Sequence, residues 1–432
     1  MLRVSNIPRN VVILAFEGPD PYATVGGLSV RVTELSAALS EHGCSVDLFY
    51  VGDPALASTE RRGRLTLHRS CQAISALYPR GVYDGELMKI RAYAEGVPRF
   101  VTEHIVRSAA ARAERVLVLA EEWQVVPALL SLERSLRQVG LGHTAKLLWN
   151  ANNTYGFETI DFEELARAAQ ITCVSRYMKF EIARQGAASM VIPNGIPRRI
   201  FDAVQEEHVA RLRRIFAGRR VLLKAGRFDP DKGWLQAIDA LAHLRTTGSD
   251  VQLILRGGNE SYAAVVLERA AERGLTIEHV TFDAPDVASV GAVLAAQRAD
   301  ILNIRSFLPD DLLYTLYASV DAVLANSGRE PFGLVGLEVM ASGGIPVCGS
   351  TGEDYVRPFD NALVCDTQDP LELATHLDQL FADPAMRAHI RKHAAETARR
   401  FTWEQALRVL DAKLACIHER TVDAVAPHAR HA

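Results

Sequence analysis

The chain has no cysteines in C-x-x-C spacing. Cys44, Cys71, Cys173, Cys348, Cys365 and Cys416 lie scattered, so neither a zinc site nor a disulfide framework is indicated, and buried thiols are expected. Net charge is also scarce: a formal balance of -4 leaves no electrostatic footprint for nucleic acid. Long apolar runs are missing too. Met1 to Asn10 is polar, and Val11 to Phe16 is far too short to span a bilayer and too short for most secretory leaders. A cytoplasmic protein with no transmembrane segment is therefore expected. No Gly-x-Gly-x-x-Gly follows a candidate strand, which disfavours a nicotinamide dehydrogenase. No internal repeat and no low-complexity tract is seen.

What is present suits two globular domains: 432 residues, 48% apolar and 23% charged. Short apolar, β-branched runs alternate with longer helical patterns, as in doubly wound parallel sheets. In the first half the expected strands include Val11 to Glu17, Ser45 to Val51, Arg115 to Ala120 and Lys146 to Asn150. In the second they include Val221 to Gly226, Val251 to Arg256, His279 to Asp283, Ala322 to Ala325 and Ile345 to Gly349. The segment Ile192-Pro193-Asn194-Gly195-Ile196-Pro197 interrupts either element type and marks the boundary between lobes. The expected division is 1–195, 196–400, a terminal helix over 401–421, and a frayed tail over 422–432.

Two carboxylates, Glu330 and Glu338, flank the run Pro331-Phe332-Gly333-Leu334-Val335-Gly336-Leu337. Pro331 is expected near a helix start, where a missing N–H costs nothing. The N–H groups of Phe332, Gly333 and Leu334 would then face a phosphate at the positive end of the helix. An amphipathic helix with two surface glutamates would show the same spacing. A second block, Lys224 to Gly233, follows a strand and precedes a helix, so Arg227 and Lys232 fall at the carboxyl edge of a parallel sheet, where such folds bind ligands. Two cations there would complete a diphosphate clamp without a metal. Asp229 and Asp231 spell D-x-D, a pattern read here as loop and helix-start acids.

The Glu330 block resembles the Glu-x7-Glu motif, and the Lys224 block the Gly-Arg-x4-Lys-Gly motif, of retaining group 1 glycosyltransferases related to glycogen synthase, sucrose synthase and sucrose-phosphate synthase. Tyr22 to Leu28 is similar to the family's Gly-Gly-Leu loop, although the lysine that glycogen synthases place before it is absent. The resemblance implies the GT-B fold, α/β, with two Rossmann-like doubly wound parallel-sheet domains facing each other across a cleft, and a last helix crossing back to the first. It implies metal-independent, retaining transfer from a nucleotide diphosphate sugar, the donor substrate, to a small-molecule or glycan acceptor, with no cofactor. Glu330, Arg227 and Lys232 take catalytic roles, and Glu338, Phe332, Gly333, Leu334, Gly26 and Gly27 bind the donor. Glu121 stands where relatives carry a cleft histidine; with Asn152, Asn153, Gly352 and Glu353 it is a candidate acceptor or sugar contact. A helix-capping role for the asparagines, and an arginine partner for Glu121, remain open. A nucleotide-sugar epimerase on the same fold and a catalytically silent sugar-nucleotide-binding subunit are the rival readings.

Overall fold

The computed structural model describes residues 6–423, except the side chains of 418–423. From 424 on, the expected frayed tail lies outside the described residues. The chain forms two compact units, one of residues 1–195 with 403–432 and one of 196–402.

In the first unit, strands β1 (Asn10–Leu14), β2 (Ser45–Val51), β3 (Thr59–Arg62), β4 (Leu65–Ser70), β5 (Val116–Glu121), β6 (Ala145–Ala151), β7 (Gln170–Cys173) and β8 (Met190–Val191) form one sheet, ordered β3-β4-β2-β1-β5-β6-β7-β8. Neighbours pair in parallel except β3, which runs antiparallel to β4. The sheet is doubly wound and parallel as expected apart from this edge strand: Thr59-Glu60-Arg61-Arg62 has no apolar alternation to reveal a strand, as befits a solvated edge. β1 and β5 are fully buried over most of their length, as strands covered on both faces must be.

The helix Trp403–Asp423 belongs to this unit. Its Trp403, Leu407, Leu410 and Leu414 join one core with Leu28, Val32, Leu35 and Leu39 of the helix Gly27–Glu41. Gly195 lies so close to Trp403 that an added Cβ would meet the tryptophan Cα at 2.5 Å, which restricts that position to glycine.

In the second unit, β9 (Arg220–Ala225), β10 (Val251–Arg256), β11 (Ile277–Val280), β12 (Ile301–Ile304), β13 (Ala322–Ala325), β14 (Pro346–Cys348) and β15 (Leu363–Val364) are ordered β11-β12-β10-β9-β13-β14-β15, all parallel. The edge strand β11 begins two residues before the expected His279 and ends before Asp283. The order reverses at β1/β5 in one sheet and at β9/β13 in the other. Such switch points open a crevice at the carboxyl ends of the strands. No helix among the described residues is long and apolar enough to cross a membrane.

Candidate active site

The second unit's crevice is built by the loops after β9 and β13. Lys232, from the first, and Glu330, from the second, form an ion pair of 2.6 Å between Nζ and Oε2. The approach is fixed by Gly233, at φ +64, where a Cβ would meet the Asn326 carbonyl at 2.1 Å. Asn326 is itself held: its amide donates to Gln236 Oε1 at 2.7 Å, and its Oδ1 accepts from Lys224 Nζ at 2.6 Å. Lys224 is buried at the end of β9, and burial, then the Lys232 charge, brings its ammonium down to about 7. Arg227 is exposed, and no carboxylate among the described residues pairs with it. Asp229 caps the turn Pro230–Lys232 by accepting from Asp231 N at 3.0 Å, as expected of a loop acid.

Pro331 stands farther from the helix start than expected. The helix runs Leu334–Ala341, and Pro331 lies three residues ahead of it in the turn. Gly333 is its N-cap at φ +80, in the left-handed region that glycine enters without strain. A Cβ there would also meet Glu353 Cγ at 2.7 Å and the Tyr355 hydroxyl at 2.9 Å. The N–H groups of Phe332, Gly333 and Leu334 have no acceptor among the described residues. Beneath them, Phe332 is buried against Tyr355 and Phe401, and the Tyr355 hydroxyl donates to the Gly333 carbonyl. Glu338 is half-buried, two turns beyond Glu330, beside Tyr317.

Gly352 packs on the Glu330 turn so tightly that a Cβ would meet the carbonyls of Glu330 and Pro331 at 2.3 Å. Glu353 Oε2 accepts from Gly352 N at 3.0 Å, while Oε1 is buried without a partner. Burial, then the charge of Glu330, pushes the Glu353 carboxyl up to about 8. The neighbouring Glu330, by contrast, is engaged in its ion pair with Lys232.

The first unit's crevice is arranged differently. Glu17, just past β1, accepts from the N–H groups of Gly26 at 3.2 Å and Ser29 at 3.1 Å, so Gly26 is not open to a ligand as expected. Gly27 opens the helix behind it, with no atom within 4 Å of a notional Cβ. Tyr83 donates to the other Glu17 oxygen.

Glu121 also departs from expectation. It is 1% exposed and gripped by both Arg31 Nε (2.9 Å) and Nη2 (3.1 Å). The amides of Asn150 and Asn152 each donate to its Oε2 at 2.9 Å. Arg31 reaches Asn194 as well, and its guanidinium lies over the Trp403 ring. At 1% exposure, and with three of these four bonds on Oε2, the carboxylate is tied up within the unit. Asn153 caps a local turn, accepting from Tyr155 N at 2.8 Å.

The carboxyl that the sequence reading missed is Glu122. It sits at φ +77, is 2% exposed, and accepts from Asn152 N at 2.6 Å. Burial holds it protonated up to about 8. Its neighbour Glu121 takes the place of a histidine and ends β5, whereas Glu122 lies just past the strand at a positive φ that no local pattern reveals. Glu17 and Lys224 carried no motif beyond their places at strand ends. A hollow of about 1250 Å³ in the first unit opens at the opposite, amino edge of its sheet between Pro8, Arg9, Arg115 and Lys146, away from these groups.

Residues 25–199 match the family model described as Glycosyltransferase Family 4, and residues 291–397 the one described as Glycosyl transferases group 1. The chain is 25% identical to a D-inositol 3-phosphate glycosyltransferase of Corynebacterium diphtheriae, over 89% of its own length and 88% of the relative's. It is 27% identical to a GDP-mannose-dependent alpha-(1-6)-phosphatidylinositol dimannoside mannosyltransferase of Mycobacterium tuberculosis, over 92% and 93%. Among solved structures, sucrose-phosphate synthase of Thermosynechococcus elongatus superposes with a TM-score of 0.67 at 19% identity, covering 96% of this chain and 99% of that one.

Proposed function

Since the chain belongs to the group 1 glycosyltransferases of the GT-B fold, we propose that it transfers a sugar, with retention, from a nucleotide diphosphate sugar held by the second unit. One observation carries this reading: the unpartnered amides of Phe332, Gly333 and Leu334 stand at a helix start beside the Lys232–Glu330 pair. The diphosphate docks on those amides and competes with Glu330 for Lys232. Exposed Arg227 closes on it from the same loop. Glu330, released from Lys232, accepts hydrogen bonds from the sugar, and Glu338 accepts them from the ribose hydroxyls.

The acceptor oxygen attacks the anomeric carbon from the face that the diphosphate leaves. As the bond to the phosphate oxygen breaks, the acceptor's proton passes to that oxygen and the nucleoside diphosphate departs. Arg227, Lys232 and the helix amides take up the developing charge, so the chemical step requires no metal. On the first unit, half-buried Asn152 is the group proposed to meet the acceptor, in place of Glu121. No observation favours the epimerase or the silent subunit.

Calorimetry with candidate nucleotide sugars tests the division of labour. Charged hydrogen bonds are worth about 1.5 to 3 kcal/mol, so Glu338→Ala raises the donor dissociation constant at least about tenfold. Glu330→Gln leaves the affinity for the free nucleoside diphosphate nearly intact and abolishes transfer. Equal loss of nucleotide affinity in both variants would sink the assignment.

A further inference from the structure

Away from the donor crevice, the second unit gathers another set of polar groups. The helix Pro384–Ala398 carries His389 and His393, four residues apart and so on one face. Asp360, in the turn after Arg357, meets both. His389 Nε2 lies 3.0 Å from Asp360 Oδ1, and His393 Nδ1 hydrogen-bonds the same oxygen. The two imidazole rings stand 4.0 Å apart between centroids. All three ligand atoms lie within 4.8 Å of one another, and the side chains are 33%, 47% and 32% exposed in sequence order, open to an ion from solvent.

Zinc ligands at about 2.0 to 2.2 Å in a tetrahedron stand about 3.3 to 3.5 Å apart. Two of the three separations here are already that short, so small side-chain rotations would admit an ion among them. Two imidazoles and one carboxylate suit zinc better than magnesium or calcium, which take oxygen donors. Arg357 Nη1 lies 3.6 Å from Oδ2, the other oxygen, so Oδ1 remains the shared ligand atom.

We propose that Asp360, His389 and His393 form a surface site for a divalent transition-metal ion, typified by zinc, with water completing the shell. The ion would clamp the 357–361 turn to the helix. That turn is coupled to the donor crevice: Asn361 Nδ2 donates to the Tyr355 carbonyl at 2.9 Å, and the Tyr355 hydroxyl to that of Gly333. The site is therefore a brace rather than a participant in the chemistry.

The test uses full-length protein carrying Cys416→Ser, which removes an exposed competing thiol, stripped with EDTA and desalted. Zinc chloride is titrated calorimetrically, and retained zinc is counted by atomic emission. One ion per chain is expected at pH 7.5, with much weaker binding at pH 5.5, because only neutral imidazole ligates. His393→Gln and Asp360→Asn each raise the dissociation constant at least tenfold, and His389→Gln with His393→Gln abolishes uptake. Should a variant misfold, mass spectrometry of the parent supplies the answer: zinc shields His389 and His393 from diethyl pyrocarbonate. No retained zinc in the parent, equal uptake in the double variant, or no shielding overturns the site.

Discussion

The two carboxyl edges share a plan and treat it in opposite ways. In each unit a glycine caps a helix at the switch point of a parallel sheet, and that helix start is an anion site in waiting. The first unit fills it from within: Glu17 takes the amides of Gly26 and Ser29. The second leaves the amides of Phe332 to Leu334 open and stations Lys232 beside them. The difference is one of timing. A helix end satisfied by its own carboxylate is stable at once, whereas one left unsatisfied holds its donors for a ligand that arrives later.

The largest effect expected from this contrast lies in the second unit. Lys232→Ala removes a preorganised charge, and losses on the order of a hundredfold in kcat are typical of such deletions. Turnover of the parent persists in EDTA. A Lys232→Ala enzyme near the parent rate, or activity abolished by chelation and restored by magnesium, would break the contrast on its active side.

On the other side, Glu17→Gln weakens charged hydrogen bonds at a buried helix start. A loss of roughly 1.5 to 3 kcal/mol in unfolding free energy by urea titration follows, with donor affinity unchanged. Donor affinity that falls as far as in Glu338→Ala would mean that Glu17 does not close the first unit's site to phosphate.

A further effect is a pH dependence to which both units contribute. Glu122 and Glu353 keep their protons up to about 8 when folded, against 4.5 for the free side chain. The folded state therefore binds more protons across that window, and stability falls as pH rises from about 4.5 to about 8. Lys224 acts oppositely. Folded, it loses its proton near 7, against 10.5 when free, so stability regained through it rises above about pH 7. Urea titrations at pH 5, 7.5 and 9.5 should show Glu122→Gln and Glu353→Gln each flattening the descending limb, and Lys224→Met the ascending one. Unchanged slopes in all three would remove these groups as its source.

Much of this architecture was legible in advance because the core strands are buried on both faces and read as unbroken apolar runs. Val251 to Arg256 and Ala322 to Ala325 were expected at the observed limits. The edge strand β3 was not legible, being polar throughout, and neither was the distance of Pro331 from the Leu334–Ala341 helix. Pro331 suits a helix start by sequence alone, but the left-handed Gly333 delays it. At the first unit's edge the limit was partnership. Nothing local to Glu121 announces Arg31, ninety residues away, and without that partner an occupied carboxylate looks the same as a vacant one.

The position of the helix Trp403–Asp423 in the first unit bears on how the protein is made. As the ribosome releases the chain from its amino end, the second unit, continuous over 196–402, has all its residues in hand first. The first unit must wait for Leu407, Leu410 and Leu414, and until then the face formed by Leu28, Val32, Leu35 and Leu39 lacks its cover. The nascent protein therefore carries an uncapped apolar surface through the synthesis of some two hundred intervening residues, the interval in which a chaperone has most to protect.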